Sequence, residues 1–177
     1  MGKNREKYIK ENLILKLKQQ IKELALRIGL TENSTTQIWE ENDFAYPFIE
    51  IDSSGEMHLK VRERGQIFED KIAKDVDELL YWIFSGITFS MACDFELKNR
   101  IETQDCRRMI FEKQNELLKK LNDDWQEREI ECQTNILKNY PIDDFAGLRA
   151  SYCSKLRKKG YSEKDIEKIA YKKYPFK

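Results

Sequence analysis

Two neighbouring stretches decide the fold: FIEIDSSGEMHLKVR at residues 48–62 and DVDELLYWIFSGITFSMACDF at residues 75–95. In the first, Phe48, Ile49 and Ile51 run into the turn-forming cluster Asp52-Ser53-Ser54-Gly55. Beyond it Met57, Leu59 and Val61 alternate with His58, Lys60 and Arg62. Strand side chains point to opposite faces at a period of two, so this pattern predicts a β-hairpin with one polar face. Arg64-Gly65 breaks the chain again, and Ile67, Phe68 and Ile72 among charged residues predict a third strand suited to a sheet edge. At Asp75 the period changes to about 3.6. Val76, Leu79, Leu80, Ile83, Phe84, Ile87, Met91 and Phe95 fall on one broad side, Trp82 and Phe89 extend it, and Asp75 with Glu78 has the spacing of a capping box. A helix apolar over most of its girth is usually buried. At about 1.5–3 kcal/mol per large side chain, it is the largest expected contributor to the core.

Upstream, Arg5 to Ile28 places Leu13, Leu17, Ile21, Leu24 and Ile28 at steps of three or four, with Leu15, Ala25 and Leu26 widening the stripe and Gly29 as the stop. This predicts an N-terminal helix. Met1 to Asn4 have nothing to bury and are expected to fray. Leu30 to Asp43 has no sustained period and reads as an irregular connection carrying Ile38 and Trp39. Downstream, Asp105 to about Asn139 carries an interrupted apolar stripe that fits one bent helix or two, with the break at Asn122-Asp123-Asp124. Asp143 or Asp144 can cap a further helix that runs to about Lys158 and stops at Gly160, and a last helix starts at Ser162 and fades near Tyr174-Pro175. The expected fold class is therefore α+β: an N-terminal helix, a small antiparallel sheet of about three strands over residues 46–73, and a C-terminal helical bundle over 75–174 with one central buried helix. A chain of 177 residues is read as a single domain, 1–177.

Composition excludes several functions. Hydrophobic residues are 40% and charged residues 36% of the chain, enough for a core under an ionic surface. Thirty-two Lys and Arg balance thirty-two Asp and Glu, so no global field attracts a polyanion or an anionic membrane. The single histidine, His58, rules out zinc sites with two or three His ligands, and neither GxGxxG nor GxxxxGK[ST] occurs. Cys93, Cys106, Cys132 and Cys153 form no CxxC pair and fall in segments read as helix. With a basic, polar start through Lys10, they predict a reduced, cytoplasmic setting. The longest uncharged stretch, Leu79 to Cys93, is too short to span a bilayer, so no membrane partner is expected. No cofactor and no metal are expected either.

Charge is uneven along the chain. Residues 1–28 are net +5, 29–58 net −7 without one Lys or Arg, 75–105 net −5 and 140–177 net +5. The acidic run, Glu32, Glu40, Glu41, Asp43, Glu50, Asp52 and Glu56, is interleaved with Trp39, Phe44, Tyr46 and Phe48. Acidic groups that steer encounter and aromatics that anchor it fit a docking surface for a basic partner; the alternative is that the aromatics are core and the acids solvate a connection. The candidate partner-binding residues are Trp39, Glu40, Glu41, Asp43, Tyr46, Glu50, Asp52 and His58, with His58 expected to be exposed beside Lys60 and Arg62. The carboxylate pairs Glu40-Glu41, Asp123-Asp124 and Asp143-Asp144 read as caps and loops, because sequence neighbours do not share a face. Asp94, Glu96, Arg100, Asp105, Arg107 and Arg108 are expected to fix the corner between the central helix and the long polar segment that follows it. The basic C-terminal helices, with Lys155, Arg157, Lys158, Lys159, Lys164, Lys168, Lys172 and Lys173, suggest an alternative function in nucleic-acid binding. However, residues 162–177 contain no Asn, Gln or Arg to read bases, and a nucleic-acid partner is not the leading expectation.

The most specific residues are Asp77-Glu78-Leu79-Leu80-Tyr81-Trp82-Ile83-Phe84, Thr88-Phe89-Ser90-Met91-Ala92, Glu96-Leu97, Arg100, Asp105, Arg107-Arg108, Phe111, Gln114, Leu117-Leu118, Trp125 and Arg128. In this order they resemble the immunity protein 63 family, antidotes encoded beside bacterial polymorphic toxins. Asp43-Phe44-Ala45, Pro47, Ile49-Glu50, Val61 and Glu63-Arg64-Gly65 resemble its strand region, and the resemblance covers residues 20–140. It implies a cytoplasmic α+β protein without catalysis of its own, which binds and blocks a cognate toxin C-terminal domain. A nuclease is the toxin class that the acidic patch would suit.

Overall fold

The computed structural model describes residues 2–176, with side chains for 8, 10–31 and 33–176. The chain divides into two compact units, residues 1–86 and 87–177. In the first unit, helix α1 (Gly2–Arg27) is followed by a 3-10 helix (Glu32–Trp39), strands β1 (Phe44–Ile51), β2 (Met57–Glu63) and β3 (Gln66–Ala73), and the first half of α2 (Val76–Lys98). The second holds the rest of α2 with α3 (Cys106–Lys119), α4 (Asp123–Asn139), α5 (Ala146–Lys158) and α6 (Glu163–Lys173). The α+β order of helix, three-stranded antiparallel sheet and helical bundle is as expected.

Leu17, Ile21, Ala25 and Ile28 form the buried stripe of α1, whereas Leu15 and Leu26 are exposed and do not widen it. The helix spans Gly2–Arg27, and the fraying expected of Met1 to Asn4 falls on residues whose side chains lie outside those described. The segment expected to be irregular contains the 3-10 helix, because the Thr31 N–H donates to Ser34 Oγ at 3.2 Å and closes a local cap that period counting does not register.

The sheet order is β1-β2-β3, both pairs antiparallel. Ile49, Ile51, Met57, Leu59 and Ala73 share the buried face, where Lys71 Nζ lies 6.0 Å from the Trp82 ring of α2. On the other face Phe48, Glu50, His58, Lys60, Asp70 and Ile72 are in register. That face is not wholly polar, since Phe48 is buried. Strand β3 buries only Ala73, which fits its place at an edge.

Asp75 Oδ1 accepts the Glu78 N–H at 2.8 Å, while Glu78 Oε2 accepts from the Lys74 N–H, one residue earlier than a capping box requires. Leu79, Leu80, Tyr81, Ile83 and Phe84 are buried in the first half of α2. In its second half the inward residues are Thr88, Ala92 and Glu96, and Phe89 and Phe95 are exposed. The chain breaks at Asn122, whose side chain accepts the Asp124 N–H and caps α4, so the long polar segment is two helices. Leu117, Leu118, Leu121 and Trp125 are buried there, and Gln133 joins α4 to α3 by accepting from Asn115 and donating to Gln114. The Ser162 hydroxyl caps α6 by accepting from the Asp165 N–H. All four cysteines lie in helices as free thiols.

Candidate partner-binding site

The end of the sheet beside the β2–β3 turn combines irregular backbone with exposed aromatics. Arg64 and Gly65 both have positive φ, 52° and 76°, as the tightest hairpin turns require. Asp43 Oδ1 accepts the Gly65 N–H at 2.7 Å, tying the start of β1 to this turn, and Glu41 pairs with Arg62. Asn42 organises the bulge between Phe44 and Pro47: its Oδ1 accepts the N–H groups of Phe44 and Tyr46, its amide donates to the Tyr46 carbonyl, and Ala45 is held at φ 61°. Strand β3 also shifts register at this level, between the partners of Val61 and Arg62. Bulges twist an edge away from further strand pairing and re-aim side chains. Here Phe44, Phe68 and Tyr46 are left 78%, 65% and 55% exposed, with Ile67 also exposed.

The residues singled out from sequence fall into different environments. Trp39 is half-buried under Lys18, whose Nζ is 5.3 Å from the ring, and it lines a groove of about 570 Å3 with Leu15, Lys22, Thr35 and Glu40. Glu40 and Tyr46 are exposed. Glu41 and Asp43 hold the local fold through the contacts above, and Glu50 accepts from Lys60 Nζ at 2.9 Å. Asp52 shapes the β1–β2 turn, its Oδ1 accepting from the Ser54 N–H at 2.8 Å and the Glu56 N–H at 2.9 Å. The Ser54 hydroxyl, followed by these backbone donors, lowers its pKa despite the opposing effect of desolvation. Phe44 belongs to the aromatic run of the acidic segment but not to the candidate set, and the sequence pattern marks Phe68 and Ile67 only as strand residues.

His58 is 8% exposed, which corrects the expectation of an exposed histidine. It stands on the polar side of the hairpin, but cross-strand neighbours cover it. Its Nδ1 is 2.7 Å from Asp70 Oδ1, and Asp70 also approaches Lys60 at 3.7 Å. Lys60 is held protonated, its pKa raised chiefly by the hydrogen bond to Glu50. The Nε2 of His58 is buried without a hydrogen-bond partner. A ring nitrogen of His58 and one carboxylate oxygen each from Asp52 and Glu56 lie within 4.8 Å of one another.

In the second unit the Arg-carboxylate pairs form, but the long-range ones join the start of α3 to the segment between α4 and α5 instead of fixing the expected corner with the central helix. Glu96 binds Arg100 through two hydrogen bonds of 2.9 and 2.8 Å. Asp105 caps α3, accepts from Arg107 Nε and Nη2 at 3.0 and 2.6 Å, and takes the Asp143 N–H at 3.0 Å. Arg107 also donates to the carbonyls of Tyr140 and Pro141, Arg108 grips Asp144, and Arg149 pairs with Asp143 while donating to the Tyr174 carbonyl. Asp143 and Asp144 thus face different arginines, an arrangement for holding helices and not for acid-base chemistry. In the basic C-terminal segment, Arg157 is paired with Glu163 and Lys173 lies 4.2 Å from the Tyr152 ring centroid.

No helix among the described residues is long and apolar enough to cross a membrane. No curated protein and no solved structure matches the chain. The model of the immunity protein 63 family matches residues 52–134, from the β1–β2 turn into α4. This is narrower than the 20–140 read from sequence and leaves Trp39 to Glu50 outside it, while Asp52 and His58 lie within. Over 52–134, which includes the Asp77–Arg108 stretch, the chain carries the immunity protein 63 pattern, and the family resemblance stands on that span.

Proposed function

We propose that this chain is a toxin-neutralising immunity protein that acts as one functional domain in a bacterial cytoplasm, binding a cognate polymorphic-toxin domain and blocking it without chemistry of its own. The family match over residues 52–134 carries the reading. The surface that suits it best is the bulged end of the sheet. Phe44, Tyr46 and Phe68 are each exposed at this bulged end, and aromatic residues are the kind of anchors that dominate interface energies. Exposed Glu40, four residues before Phe44, supplies negative charge that would steer a basic partner, as a nuclease with a phosphate-binding cleft would be. The structural duties of Glu41 and Asp43 move the expected energetic centre from the acids to the aromatics.

The test is co-expression with the C-terminal domain of the toxin encoded beside this gene. The wild-type chain should restore growth, and Phe44→Ala with Phe68→Ala should lose protection while circular dichroism and thermal melting stay unchanged. Full protection by that double variant would move the interface elsewhere, and failure of the wild-type chain to protect would overturn the function.

A further inference from the structure

We propose that Asp52, Glu56 and His58 form a binding site for a divalent transition-metal ion of the zinc class, with Asp70 as the positioning residue behind the histidine. This goes beyond the toxin-blocking reading and stands independently of it. The ligand atoms already converge, one from each residue within 4.8 Å of the others. Clustered carboxylates alone would carry little, since turns often gather them. The second observation is the histidine itself. His58 is 8% exposed, its Nδ1 is engaged by Asp70 at 2.7 Å, and its Nε2 is buried with no hydrogen-bond partner. An ionised carboxylate only accepts, so Asp70 selects the tautomer with hydrogen on Nδ1 and leaves a lone pair on Nε2. A carboxylate behind a histidine is the arrangement that orients imidazole ligands and raises their basicity.

The carboxylates fit the same role. Asp52 Oδ1 is occupied by the N–H groups of Ser54 and Glu56, while Oδ2 shares with it only the Ser54 hydroxyl, 2.8 Å from Oδ1 and 3.0 Å from Oδ2, and retains acceptor capacity. Glu56 is exposed and also lines a shallow groove with Ile72 and Lys74, so one of the three ligands stands at the solvent surface. Lys60, near Asp70, and Lys74 are the cations in the neighbourhood. Three protein ligands with one open position for water match a zinc-type site, and the imidazole nitrogen favours Zn2+ over Mg2+ or Ca2+. The bound ion would tie the β1–β2 turn to strand β2.

The experiment titrates ZnCl2 into the metal-free, full-length protein by isothermal calorimetry, with long-range 1H–15N NMR of His58, the only histidine, as the site-specific readout. Saturable one-to-one binding is expected, with the Nε2 resonance shifting and Nδ1 remaining protonated. Glu56→Gln, at an exposed position, should keep the fold and weaken binding more than about tenfold, His58→Gln should abolish it, and Asp70→Asn should weaken it about 10–100-fold. Because four free cysteines are rival ligands, Co2+ serves as a spectroscopic probe that should give no thiolate charge-transfer absorption. Absence of saturable binding, undiminished affinity in Glu56→Gln and His58→Gln, or a thiolate band with Co2+ would each overturn the proposal.

Discussion

Replacing Asp105 by Asn removes the charge at the centre of the helical corner while keeping its size. The Asp105 side chain is 7% exposed. Burial works against its ionised form, but the Arg107 guanidinium and the N–H groups of Asp143 and Arg107 outweigh it and lower the pKa from 3.8 to about 2. At 1.36 kcal/mol per pKa unit, that gap corresponds to about 2 kcal/mol of stability at neutral pH. Asn keeps one acceptor oxygen but leaves Arg107 without a counter-charge, so the expected cost of Asp105→Asn at pH 7 is about 2–3 kcal/mol. The folded pKa lies below the unfolded one, so this stabilisation is complete well above pH 4 and is lost as pH falls from about 4 towards 2. Glu96, also lowered by its arginine partner, titrates in wild type and variant alike and cancels in the difference, whereas Asp144, whose pKa the neighbouring Asp105 charge raises, is lowered further in the variant. Urea unfolding, followed by fluorescence of the buried Trp125 in a Trp39→Phe, Trp82→Phe background, reads the unit that holds Asp105. A cost under about 0.5 kcal/mol at pH 7, or a difference between the proteins that is the same at pH 7 and pH 2.5, would refute the assignment.

Arg64 holds a left-handed backbone conformation that costs a non-glycine residue about 1–2 kcal/mol, so Arg64→Asn should raise stability by about 0.5–1 kcal/mol in thermal melts, and Arg64→Val should lower it. Leu118→Ala, at a fully buried site, should cost about 2–5 kcal/mol in chemical denaturation, whereas Leu26→Ala, at an exposed one, should stay within about 0.5 kcal/mol. In stopped-flow binding to the toxin domain, Glu40→Lys should slow association and reduce its dependence on ionic strength, with little change in dissociation.

The sequence was most readable where local pattern and tertiary burial agree. The alternation through Met57 to Arg62 and the glycine stops at Gly29 and Gly160 correspond to strand and helix ends in the structure. Periodicity failed in the second half of α2, where apolar character favoured Phe89 and Phe95 but Thr88, Ala92 and Glu96 are inside. Hydrophobicity does not announce a polar residue that is buried with a partner, as Glu96 is with Arg100 four residues on. The same limit hid Arg149 and His58: alternation places His58 on the polar side of β2, yet only the register of β3, which sets Asp70 near it, determines that it is buried and bonded. The exposed aromatics follow from the two bulges, which carry no compositional mark beyond Asn42 and the turn at Arg64-Gly65. Glu41 and Asp43 illustrate the converse, since residues chosen for charge proved to be structural once their partners Arg62 and Gly65 were placed.

The central claim is that this chain works by covering another protein. Isothermal titration of the purified full chain against the adjacent toxin's C-terminal domain tests it most directly. The account predicts a saturable one-to-one complex that loses affinity by at least about 2 kcal/mol, some thirtyfold, when Phe44 and Phe68 are replaced by alanine. Absence of any complex, in a preparation whose circular dichroism shows the chain folded, would contradict it.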